Sequence, residues 1–395
     1  MMNKEPFVIG YRKFTYLELS YLLMIASVII NGNKYHAAIA FILPQTIIAM
    51  LLCVMSILTN KSRPVSFKDY IPTLLLVLIS SVSTISSDVV QWSFAATSLL
   101  VYFFTYLLLN SQKQSKFSIK RICRFFAVIA LIISVGIIIN IVLQRNIVND
   151  RVSFSFFGVR KDENYLSAFL VFGYCYYLFS TIFGSRKKIY YFTAFAIFFA
   201  VFMTGSRGAL VAMLLCTAIV ILYTILRSGL TLKTMLFSVF IVIILGAGYI
   251  AVSKTTLFAR MSNIDGYTDN IRLVIWRYAL EGFTRRPVLG SGIQSGTYFA
   301  QLHVRWYTHS CFVDLITSAG ILGAIVFVWQ MLAYIRKAGK VYKSNRVLMV
   351  CMIAVMFVPL MFINGFETAT FWIPLAICKA TSDCLETVEC HEILV

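Results

Sequence analysis

Four polar clusters interrupt an otherwise apolar chain, and each holds residue types that suit chemistry on a phosphate-bearing substrate. The first is R-K-D-E-N, Arg160 to Asn164. The second is T-G-S-R-G-A-L, Thr204 to Leu210, where Arg207 sits beside Gly205, Ser206 and Gly208. Small neighbours let a phosphate reach backbone N–H groups as well as a guanidinium, as in an anion-binding nest. A tight turn with a snorkelling arginine is the plainer alternative. The third is D-N-I-R-L-V-I-W-R-Y-A-L-E-G-F-T-R-R, Asp269 to Arg286, followed by P-V-L-G-S-G, Pro287 to Gly292. The fourth is His309-Ser310, followed by Gly320 and Gly323. A histidine titrates near neutrality and suits general-base work, although a lone histidine at a membrane edge is more often structural. Arg160 to Asn164 also reads as a helix start capped by Asp162, Glu163 and Asn164.

The elements that carry these clusters follow from hydropathy. Of 395 residues 59% are apolar and 13% charged, and the mean hydropathy of +0.83 exceeds what a soluble core needs. A helical crossing takes about 20 apolar residues. Runs near 14–30, 36–58, 70–86, 93–109, 122–143, 165–183, 189–204, 208–226, 232–252, 308–332, 347–363 and 366–380 meet that need. The expected fold is an all-α polytopic transmembrane helix bundle of about twelve spans forming a single integral membrane domain, 1–395, with its first apolar run retained as a span. Two extracytoplasmic loops are expected, a smaller one at 144–164 and a large one at 253–307 containing amphipathic helices; 381–395 reads as a cytoplasmic tail. In the third cluster Arg272, Trp276 and Ala279 share one helical stripe, and Leu273, Arg277 and Leu280 another, which suits a helix along a membrane surface. Gly320 and Gly323 suit close helix packing.

The net charge of +19 would suggest nucleic acid as partner for a soluble chain. Here its distribution between loops matters more, and no nucleic-acid partner is expected. With both termini cytoplasmic, 22 of the 35 basic residues fall inside, Lys379 among them. The other 13 fall outside and ten of those are arginine, the better planar fork for phosphate oxygens. Arginines meeting lipid headgroups or loop carboxylates are the competing explanation. None of the nine cysteines lies in an expected outer loop, so no disulfide framework is expected. No metal or other cofactor is expected either, because convergent carboxylates are few; Asp265 with Asp269, or Asp162 with Glu163, are the weak candidates.

In this order the four clusters resemble the family of O-antigen ligases and Wzy-type polysaccharide polymerases. His309-Ser310-x9-Gly320-x-x-Gly323 is the most specific match. Ser206 to Ala209, the series Arg272, Trp276, Pro287, Gly290, Gly292, and Asn164 are similar to what the family shows. The resemblance spans 160–323; the N-terminal third matches only in being apolar. It departs at Ser318, where members often carry a carboxylate; the carboxylate here is Asp314.

The resemblance implies a bacterial cytoplasmic (inner) membrane enzyme with its active site on the outer face. Its donor is a lipid-linked oligosaccharide on undecaprenyl diphosphate, and its implied catalytic residues are His309, Arg207 and Arg272. Arg160, Asn164, Ser206, Arg277, Arg285, Arg286 and Ser310 are the expected substrate-binding residues. Membrane lipids, a flippase and a chain-length regulator are the expected partners. Polymerase is preferred to ligase, since outer basic charge falls in two loops and a polymerase handles two lipid diphosphates. A transporter of lipid-linked oligosaccharide is the rival from another class; it would place titratable groups at the midplane in repeated halves.

Overall fold

A computed structural model describes residues 14–31, 37–59, 65–87, 92–143, 147–148, 151–152, 154–156, 159–160, 162–183, 188–228, 267–363 and 365–389. Thirteen α-helices run through these residues. They are α1 (Tyr16–Asn31), α2 (Ala37–Thr59), α3 (Ile71–Ile85), α4 (Trp92–Leu109), α5 (Lys116–Val142), α6 (Glu163–Phe183), α7 (Lys188–Met203) and α8 (Arg207–Ser228). Then follow α9 (Tyr267–Arg285), α10 (Ser295–Val304), α11 (Cys311–Ala338), α12 (Asn345–Phe357) and α13 (Ala369–Leu385). Short 3₁₀ turns at Phe67–Tyr70 and Val358–Phe362 extend α3 and α12.

A helix stands where each of eleven apolar runs is expected; the run at 232–252 and the stretch 253–266 lie outside the described residues. Among the described residues four helices are long and apolar enough to cross a bilayer: Phe67–Ile85, Lys116–Val142, Cys311–Ala338 and Asn345–Phe362. The reason for helix is the solvent: in hydrocarbon every N–H and C=O must be satisfied within the segment. On α5, Val128, Ile132, Val135, Ile139 and Val142 recur at three-to-four spacing and are all exposed, an apolar stripe fit for lipid. The chain reads as a membrane protein. At the centre lies α13, every residue of which is buried.

Three features differ from expectation. Lys379 is not a loop charge but a fully buried side chain within α13, paired with Asp383 at 2.5 Å and Asp69 at 3.6 Å. Neutralised in this way, it lets α13 continue to Leu385, so the expected tail at 381–395 begins as helix. Cys384, expected in that tail, is buried with it.

The smaller loop, 144–164, holds two minimal antiparallel ladders, Ile147–Val148 with Arg151–Val152 and Ser155–Phe156 with Val159–Arg160.

Gly320 does not serve plain helix packing. Its φ of 64° and ψ of −163° break α11, a conformation only glycine takes readily. The Pro287–Gly292 loop fills the break. Ile321 N donates to Pro287 O (2.9 Å) and Leu322 N to Val288 O (3.2 Å), while Thr317 O accepts from Ser291 N (2.8 Å) and Ser295 Oγ (3.0 Å). Groups that an unbroken helix would pair with one another are thus satisfied by the loop. The approach is so close that a Cβ on Gly320 would lie 2.3 Å from Val288 O.

Candidate active site

The N-terminal end of α11 is where the separate clusters meet. Ser310 caps it, its Oγ accepting from Val313 N at 3.3 Å, as a serine before an apolar helix should. His309 precedes the cap with φ 50°, in the left-handed region, and is half-buried. Its imidazole lies 6.0 Å, centroid to centroid, from Trp306. Burial holds its pKa below the ordinary histidine value, the Arg272 charge pushes it further down, and the Asp162 charge opposes both. At neutral pH the ring is therefore neutral and able to accept a proton.

Arg272 reaches this point from α9. Ile275, Ala279 and Gly282 form the buried face of that helix, packed with Ala300 of α10. Trp276, one turn beyond Arg272, donates its Nε1–H to Thr308 O at 2.9 Å, which fixes α9 beside the histidine turn. The Arg272 guanidinium carbon stands 5.9 Å from the centroid of the Phe362 ring, within cation–π range. The same ring closes on the start of α8: a Cβ on Gly208 would lie 2.0 Å from Phe362 Cδ2. Phe362 thus links Arg272 to the backbone next to Arg207. Arg207 is the first residue of α8, after the tight turn of Thr204, Gly205 (φ 66°) and Ser206. Its side chain lies outside what the structure describes.

Asp162 brings in the first cluster. Its Oδ1 accepts from Asn164 N (2.9 Å) and Tyr165 N (3.1 Å), so it caps α6 while its charge acts on His309. The capping and functional readings of this stretch therefore coexist. Asn164 is half-buried in the first turn of α6. Arg160 ends the ladder just before it, opposite Ser155, and its side chain too is outside the described atoms.

The remaining expected residues are not brought to His309. Ser206 is buried, its N–H donating to Thr204 Oγ1 at 3.4 Å. Arg277 lies five residues from Arg272, about 140° around the helix, and is exposed beside Leu273 and Leu280. Arg285 pairs with Glu281 at 2.9 Å and lies over the Phe299 ring at 4.6 Å. Arg286 donates to Ser86 Oγ at 3.1 Å and to Ser86 O, tying the end of α9 to that of α3. Both lie about 20 Å along the helix from Arg272. Among the described residues no three His, Cys, Asp or Glu side chains are grouped as metal ligands; Asp265 falls outside them.

Sequence reasoning missed Phe362, hidden in an apolar run, and Thr308, whose position next to His309 was its only signal. No curated protein matches the chain. Residues 192–328, which include Arg207, Arg272, His309 and the break at Gly320, match the family model described as O-antigen ligase, so this stretch is similar to the O-antigen ligase/Wzy family that the four clusters resemble.

Proposed function

We propose that this protein is a glycan polymerase, transferring oligosaccharide from undecaprenyl diphosphate to a sugar hydroxyl of another lipid-linked repeat during surface polysaccharide synthesis. The observation that carries the reading is that Trp276 bonds the residue before the half-buried His309, while Arg272, one turn away on α9, lies on the Phe362 ring that also closes on the start of α8. His309 removes the proton of the acceptor hydroxyl. The freed oxygen attacks the anomeric carbon from the face opposite the diphosphate, the bond to the diphosphate oxygen breaks, and the configuration inverts. Arg272 and Arg207 take up the charge that develops on the departing diphosphate. Two charge-assisted hydrogen bonds at about 1.5–3 kcal/mol each lower the barrier by about 3–6 kcal/mol. A general base adds about 10²- to 10⁴-fold.

The exposed Leu273, Val274 and Leu280 of α9, with Leu302 and Trp306 close by in sequence, suit a surface lying on lipid headgroups above the donor's chain. A ligase is the second reading, favoured by the description of the matching family. One experiment separates them. Purified protein is given a single defined lipid-linked repeat: a ladder of products supports polymerase, and product only on adding a separate acceptor supports ligase. If His309→Ala and Arg207→Ala both leave product formation unchanged in correctly inserted protein, the catalytic assignment of these residues fails.

A further inference from the structure

His309 holds a left-handed backbone, which an L-residue keeps only where its surroundings over-determine it. Ser310 fixes the following side as the cap of α11, and Cys311 N donates to Ile363 O at 2.8 Å. The preceding side is fixed by Thr308, which is fully buried. Its carbonyl accepts from Trp276 Nε1, and its hydroxyl donates to Asp314 Oδ1 at 2.6 Å. The other carboxylate oxygen, Oδ2, accepts from Gly365 N at 3.4 Å. Asp314 is 2% exposed. Its carboxylate thus spans from the residue before His309 to the turn after Phe362, the ring on which Arg272 lies.

We propose that Asp314 is a positioning residue for His309, acting through Thr308 and setting the distance between the base and the Arg272 cation. This inference rests on the transferase reading above. Among the described residues the Asp314 carboxylate is bonded to Thr308 and Gly365 and not to the imidazole, so its action is on backbone placement. That differs from a carboxylate bonded to the base. The connection to Arg272 is direct in covalent terms: Trp276, which holds the Thr308 carbonyl, is one helical turn from Arg272 on α9. A carboxylate suits this role better than an amide. Two donors, a hydroxyl and a backbone N–H, point at its two oxygens, whereas an asparagine has one acceptor oxygen and would turn an NH₂ toward one of them. Neighbouring Glu367, also 2% exposed, accepts from Gln294 Nε2 at 2.9 Å and ties the same turn to the start of α10.

The test uses the full-length protein in lipid nanodiscs and four variants: Thr308→Ser, Thr308→Val, Asp314→Asn and the double Thr308→Val/Asp314→Asn. Two readouts are taken, product formation from a lipid-linked repeat (kcat and KM) and the rate at which diethyl pyrocarbonate modifies His309, followed by peptide mass spectrometry. Thr308→Ser keeps the donor and is expected to behave as wild type. Thr308→Val and Asp314→Asn are expected to lose roughly ten- to a hundredfold in kcat, the scale for a misplacement of about 1 Å, with KM scarcely changed. The double variant is expected to be no worse than Asp314→Asn, since both changes break one chain of contacts. In Thr308→Val and Asp314→Asn the His309 modification rate is expected to change as the ring moves. Wild-type kcat in folded Thr308→Val, or losses that multiply in the double variant, would overturn the proposal. Should Asp314→Asn not fold, the Thr308→Ser and Thr308→Val pair decides it. If wild-type protein makes no product with any acceptor, the transferase reading has failed. The modification rate then decides the positioning role alone, an unchanged rate in Thr308→Val counting against it.

Discussion

Replacing Gly208 with alanine is the sharpest perturbation of the site, because it acts on Arg272 without touching any charged group. The added Cβ would stand 2.0 Å from Phe362 Cδ2, 2.4 Å from Cγ and 2.7 Å from Cε2. Carbon atoms rest at about 3.5–4.0 Å, so the ring must move by about 1.5 Å or more. Arg272 lies 5.9 Å from that ring and loses its platform. A displacement of about 1 Å at a reacting group costs about 10²-fold, so kcat/KM is expected to fall about a hundredfold, or about 2.7 kcal/mol. The fold should lose about 1–3 kcal/mol, the range for an overpacked contact that side chains relieve. Polymer-ladder formation and a melting curve of the same preparation give both numbers. Phe362→Ala serves as the partner variant, since without the ring Gly208→Ala has nothing to strike. The pair Gly208→Ala/Phe362→Ala should match Phe362→Ala alone. A folded Gly208→Ala protein with wild-type kcat/KM would refute the link between α8, Phe362 and Arg272.

Charge at the site is tested through pH. Arg272 lowers the His309 pKa and Asp162 raises it. The base must be neutral, so the acidic limb of kcat/KM should move to higher pH in Arg272→Gln and to lower pH in Asp162→Asn, with opposite shifts read from one buffer series. Gly320→Ala places a Cβ 2.3 Å from Val288 O at a φ of 64°, and rigid backbone cannot yield there. Loss of folded, detergent-stable protein is expected by size-exclusion chromatography. Within α13, Asp383→Asn leaves the buried Lys379 without its closest partner and should cost about 3–5 kcal/mol, seen as a lowered melting temperature. Lys379→Met/Asp383→Leu, which removes both charges, should recover most of it.

The helices were legible because lipid leaves the backbone no alternative: an apolar run long enough to bury itself becomes a helix, and eleven expected runs did so. Their ends were less legible where a charge had a distant partner. Lys379 looks like a loop residue until Asp69, some 310 positions away in sequence, is found beside it. Gly320 carried a signal, since a glycine in a long apolar run asks for a reason, but packing against a helix and accepting a loop look the same in one sequence. The loop's identity depended on carbonyls of Pro287 and Val288, which no side-chain pattern reveals.

The arginines make the stronger argument about what sequence can say of a site. Charge counting treated Arg272, Arg277, Arg285 and Arg286 alike, four cations on one segment facing an anion. The fold separates them by angle and distance. Arg285 pairs with Glu281 on its own helix and lies over Phe299 of α10, Arg286 fastens the end of α9 to Ser86, and Arg277 points away among exposed leucines. Arg272 alone of these shares an inward stripe with Trp276, and Trp276 holds the residue before His309. Helical periodicity already placed Arg272 and Trp276 on one face. What it lacked was the partner of that face, and that partner, Thr308, supplies the rule for choosing among the cations: the useful arginine is the one whose helix is fastened to the base.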